Sequence, residues 1–137
     1  MSNHQGITPE GRAAFGALVA RTRTSPAVRD QVAQWLEQAG SIETVSQPTT
    51  QAQFARWITG KSRIFVSESA IGRLERGEGR GGPPFELLIA LCKAVDILPL
   101  PDGSHCNLDR AAEILCGNLD PATGKWRSEA ERASRHD

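Results

Sequence analysis

An all-α, compact multi-helix domain is the fold class this sequence predicts, on three observations. Apolar residues recur at three- and four-residue spacing instead of alternating. Serine or threonine repeatedly stands just ahead of such a run, twice with proline next, which is how helices begin. Alanine, leucine and arginine are plentiful and tyrosine is absent, a composition that leans towards helix. No segment reads as a strand, and Ile64-Phe65-Val66 is at most a short extended piece. At 137 residues the chain fits one domain. Its apolar share of 39% and aromatic share of 5% imply a small aliphatic core. Residues 1–126 are expected to form that domain, and 127–137 a polar tail.

The elements follow in order. Thr8-Pro9 is a cap with proline at the first helical position, and Phe15, Leu18, Val19 and Thr22 continue on one face. Ser25-Pro26 repeats the signal, Val28, Val32, Trp35 and Ala39 form the stripe, and Gly40 stops the helix. These N-terminal helices occupy 9–39, and SIETVSQP is a loop by composition. Thr50 opens a third helix, with Gln53 placed to complete a capping box. Phe54, Trp57 and Ile58 face inwards, and Thr59-Gly60 is expected to end it. TGKSRIF then reads as a long basic connector with an apolar tip. Ser67 caps a fourth helix that Gly77 stops, and Glu68 suits its positive N-terminus. GEGRGGPP is a turn, and Pro84 starts a fifth helix with Leu88, Leu91, Cys92 and Val95 on one face. A short sixth helix runs from Leu108 to Cys116.

Sixteen basic and sixteen acidic residues cancel, so the distribution of charge is the informative quantity. Arg56, Lys61, Arg63, Arg73, Arg76 and Arg80 outnumber Glu68, Glu75 and Glu78 in the middle of the chain. From Gly81 to Asp120, Lys93 and Arg110 stand against Glu86, Asp96, Asp102, Asp109, Glu113 and Asp120. A basic patch can meet nucleic acid on a neutral protein. Cys92, Cys106 and Cys116 are an odd number without close pairing, and there is neither a signal peptide nor a long apolar run. A reduced, cytoplasmic protein is expected. His105, Cys106 and Cys116 fit no metal spacing, so buried thiols are the reading, with no metal and no cofactor. An enzyme is not expected, because no nucleophile with a base, phosphate loop or metal set is visible. GEGRGG lacks the lysine-serine or lysine-threonine of a phosphate loop.

On a helical wheel of residues 66–76, Val66, Ala70, Ile71 and Leu74 make one stripe. Glu68, Ser69, Gly72, Arg73 and Arg76 lie opposite. That outward face is small where it is not charged, as a helix entering the DNA major groove requires. An ordinary surface helix with solvated charges shares the same face.

The order of residues adds to this. VSESAIGRLERGEG resembles the second motif helix of the lambda-repressor-like (Cro- or XRE-type) helix-turn-helix family, through Ser67, Ile71, Arg73, Leu74, Glu75, Arg76 and Gly77. TTQAQFARWI is similar to its first motif helix and PPFELLIALCKAVDIL to the helix after it, so the resemblance covers about residues 49–98. FGALVARTR resembles the helix before the motif. Residues 24–48 then read as an insertion, unless residues 26–39 take that helix's place. The resemblance implies that Glu75 is structural and pairs with an arginine of the preceding helix, for which Arg23 is the best partner.

It further implies a sequence-specific regulator of transcription, with a repressor the expected sign, bound as a homodimer to a two-fold site on double-stranded DNA. Ser67, Glu68, Ser69 and Arg73 would face bases, and Gly72 would let the backbone approach. Glu68 can accept from cytosine N4 or can serve only the helix dipole. Gln51, Gln53, Lys61, Arg63, Arg76 and Arg80 would contact phosphates. Two other classes stand beside it. One is an antitoxin repressing its own operon, with a toxin as protein partner. The other is a protein-interaction subunit that uses the same fold. Leu100 to Trp126 carries more apolar surface than a tail needs, and it is expected either to help form a homodimer or to close the chain's own core.

Overall fold

The computed structural model describes residues 6–94, 100–101 and 103–127. Among the described residues six helices follow one another: α1 Pro9–Arg23, α2 Pro26–Gln38, α3 Gln51–Ser62, α4 Glu68–Glu75, α5 Phe85–Ala94 and α6 Leu108–Leu115. The fold is all-α, and an isolated antiparallel β-bridge joins Leu119 to Trp126. The caps lie where side-chain chemistry placed them. Thr8, Ser25, Thr50, Ser67 and Asn107 each accept a backbone N–H of the first turn that has no partner within the helix. Thr50 and Gln53 complete the capping box. Gly40 and Gly77, at φ 78° and 71°, take the left-handed turn past α2 and α4.

Phe15, Leu18, Val19 and Thr22 are buried as expected, and so are Phe54, Trp57 and Ile58. They join Val28, Val32, Leu36, Ile71, Leu74, Leu91 and Ile114 in one core. A side chain of this kind contributes roughly 1.5–3 kcal/mol when fully buried. α1 packs on α4 and α6, while α3 packs on α5, α4 and α2.

Two expectations are corrected. Gly60 does not end α3, which continues to Ser62 and stops where Arg63 takes a left-handed φ of 63°. Gly60 is there for packing. A Cβ at that position would lie 2.3 Å from Cζ2 of Trp35, so the missing side chain seats the α2 indole on α3. Residues 63–67 alone therefore join α3 to α4, and the long connector shrinks to a short one. The inward stripes shift as well. Leu36 replaces Trp35 and Ala39 on α2, and α5 buries Leu87, Ala90, Leu91 and Ala94. Val95, the end of the expected α5 stripe, lies outside the described residues, as does the tail beyond 127.

The C-terminal segment closes part of the chain's own core, one of its two expected roles. Leu100, Cys106, Ala111, Ile114, Leu115 and Leu119 are all buried in the chain's own core. α6 packs against α1 so closely that Gly11 has no room for a Cβ, which would lie 2.0 Å from the Leu115 carbonyl oxygen. The Thr8 N–H donates to that oxygen at 3.0 Å. Most of the apolar surplus is thus used internally, while Leu108 and Trp126 stay exposed at 37% and 53%.

Candidate nucleic-acid interface

α4 is short, and an isolated helix of this length does not persist in water. Its neighbours hold it. At its C-terminal end the Glu75 carboxylate accepts from Arg23 Nε at 2.7 Å and Arg23 Nη2 at 3.0 Å. The Gln51 amide donates to the same carboxylate at 2.9 Å, and Arg23 Nη1 donates to the Thr49 carbonyl at 2.6 Å. The two charged side chains are only 14% and 8% exposed, so this bidentate pair is shielded from solvent and salt. One cluster thus ties the last turn of α1, the first turn of α3 and the end of α4. A second tie comes from α1, where Arg12 Nε donates to the Gly77 carbonyl at 2.9 Å. Gly16 allows the close approach: a Cβ there would lie 2.4 Å from the Leu74 carbonyl oxygen.

Its N-terminal end is pinned from α3. Thr59 Oγ1 accepts the Val66 N–H at 2.9 Å and donates to the Val66 carbonyl at 3.2 Å. Ser62 Oγ does the same for Ile64, at 3.1 and 3.3 Å. Ser67 Oγ accepts the Ala70 N–H at 3.1 Å, leaving its own hydrogen to give.

With both ends held and Ile71 and Leu74 buried, the other side of α4 turns outwards. Glu68, Ser69, Arg73 and Arg76 are exposed and Ser67 is partly so. Lys61 and Arg63, ahead of the helix, are exposed, and so is Arg80 after it. Arg76 donates from Nε to Glu78 Oε2 at 2.6 Å. That contact holds the Glu78 carboxyl below its ordinary value and raises the guanidinium of Arg76.

Two of the expected contact residues are placed elsewhere. Gly72 is buried, and its missing Cβ accommodates Arg76 and Gln51, whose Nη1 and Oε1 would stand 3.1 and 3.4 Å from one. Its backbone is therefore covered, not presented. Gln53 is 6% exposed and fully engaged with the chain itself. Its amide donates to Glu43 and to the Thr44 carbonyl, and its Oε1 accepts from Ser46 and Thr50. It fastens the 41–49 loop to α3 and is withdrawn from phosphate contact. Gln51 is half-buried beside Glu75. Sequence reasoning missed Arg12 and the close approach at Gly16, because each joins residues far apart in the chain.

The thiols stand apart from this face. None of the three cysteines is joined in a disulfide, and burial, helped by the neighbouring Cys92, pushes Cys106 up to about 12. Burial also raises Cys92 and Cys116. Among the described residues no group of three histidine, cysteine, aspartate or glutamate side chains is arranged to hold a metal ion. No described helix is long and apolar enough to cross a membrane. Comparison with protein-family models, curated proteins and solved structures yields no match, so what α4 does has to be argued from its own surroundings.

Proposed function

We propose that this protein is a sequence-specific double-stranded DNA-binding regulator that lays α4 in the major groove. The observation that carries this reading is the way α4 is held. A short helix is locked at both ends by its neighbours, joined to α3 through residues 63–67 alone, and left with a polar, partly cationic outer stripe. A helix kept only for packing needs no such face, whereas a reading helix needs it rigid. In this reading Ser67, Glu68, Ser69 and Arg73 address base edges, and Lys61, Arg63, Arg76 and Arg80 address phosphates. The pairing of Arg23 on α1 with Glu75 supports reading α1 as the helix before the motif and α2 as the inserted segment. A two-fold site would call for two copies of the chain, with repression as the expected outcome of occupancy.

The experiment is selection from a pool of random duplexes with the full chain, followed by sequencing and a gel-shift titration against salt. Enrichment of a two-fold motif, bound with a steep inverse salt dependence, supports the reading. Recovery of no preferred sequence would leave α4 as a surface for another protein and sink it.

A further inference from the structure

Residues 64–66 form a short link whose two outer members are anchored. Thr59 holds both backbone groups of Val66, and Ser62 holds both of Ile64. Val66 is buried and Ile64 is packed against the core. With both neighbours turned to the core, the residue between them is left on the outside. That residue is Phe65, which is 81% exposed. An aromatic ring held in water by fixed flanks cannot tuck back into the core to recover its burial.

Its position in the chain says what can cover it. Phe65 lies two residues ahead of Ser67, the cap of α4, and follows the exposed cations Lys61 and Arg63. Arg73 and Arg76 are exposed further along the helix. A ring set among cations suits a partner that is anionic outside and apolar within, which describes duplex DNA. The N-terminal end of a reading helix is the part that meets base edges. At that end the one apolar group of the major groove is the 5-methyl of thymine.

We infer that Phe65 is a specificity-determining residue that contacts a thymine methyl beside the bases addressed by the first turn of α4. The inference rests on the DNA-binding reading and deepens it.

The test uses a duplex selected by the full chain, in which each thymine is replaced singly by deoxyuridine. At one thymine per half-site the parent should bind about four-fold more weakly, the value of one buried methyl. Phe65→Ala should bind the thymine duplex more weakly than the parent does and should not distinguish it from the deoxyuridine duplex. Phe65→Leu should keep part of the discrimination. Both variants should melt with the parent, because the ring is exposed. Three results would overturn the inference: a parent indifferent to every such replacement, a Phe65→Ala chain that discriminates as the parent does, or equal weakening of both duplexes in parent and variant alike. Failure to select any duplex is a separate result, because it removes the DNA-binding reading and this inference with it.

Discussion

Arg73 and Glu75 lie two positions apart on α4 and have opposite tasks. Arg73 is exposed, so Arg73→Ala should leave the melting temperature nearly unchanged. If it makes a bidentate base contact, the variant should lose about 1–3 kcal/mol of specific binding, read by titration of the selected site against a scrambled one. Equal affinity for both proteins would remove Arg73 from the reading face. Glu75 is buried against Arg23, and Glu75→Ala strands a guanidinium. A loss of about 3–5 kcal/mol in urea unfolding is expected, since a broken buried pair leaves one charge uncompensated. The Cys106 thiol behaves differently again. Its proton is held to about 12 in the fold against an ordinary 9.0, so the unfolded chain gives up the proton first as pH rises. The resulting stability is complete below pH 9 and is lost as pH climbs towards 12. The stability difference between parent and Cys106→Ala should shrink across that window, and urea midpoints at pH 7, 9 and 10.5 would show whether it does.

Among the elements, α1 decides most, because it supports α4 with one half and α6 with the other. Its two close crossings rest on Gly16 and Gly11. Alanine is the better helix former by up to about 1 kcal/mol, so propensity alone would favour Gly16→Ala. Sterics oppose it, because the added carbon would stand 2.4 Å from a backbone oxygen of α4 that no side-chain rotation can move. Overpacking of this kind costs about 1–3 kcal/mol or more, and a net destabilisation is expected in chemical denaturation. Gly6→Ala, which meets nothing within 4 Å, is the control. A Gly16→Ala chain as stable as that control would mean that α1 and α4 do not cross so closely.

At the scale of the whole molecule, α6 and the residues beside it, from Leu100 to Leu119, contribute to the core. A chain ending at Pro99 would lose Ala111, Ile114, Leu115 and Leu119 and uncover the α1 face beneath them. It should fail to unfold cooperatively, and near-ultraviolet dichroism with a urea titration would test this. A stable, cooperatively folding truncation would show that α6 is dispensable. Long-range electrostatics belong to this scale too. Lys61→Gln with Arg63→Gln should weaken binding to all duplexes alike and lower the salt slope by about 0.9 for each phosphate no longer neutralised. A changed sequence preference at an unaltered slope would place these residues against bases.

The sequence by itself determined the helices, because caps, proline starts, glycine stops and apolar spacing act within one or two turns of chain. Thr8, Ser25, Thr50 and Ser67 are all caps in the structure, and the Arg23–Glu75 pair was expected from the resemblance alone. It misread the end of α3 at Gly60 and the availability of Gln53 and Gly72. Each of those depends on what a distant part of the chain brings up against the residue. The Trp35 indole makes Gly60 a packing residue, the 41–49 loop consumes Gln53, and Gln51 of α3 helps to cover Gly72. Local propensity cannot report such contacts, since a helical glycine or glutamine has the same short-range preferences whether its neighbour is water or another helix. Tertiary structure alone decided that Phe65 faces outwards, because the hydroxyls that fix its flanks lie on the preceding helix.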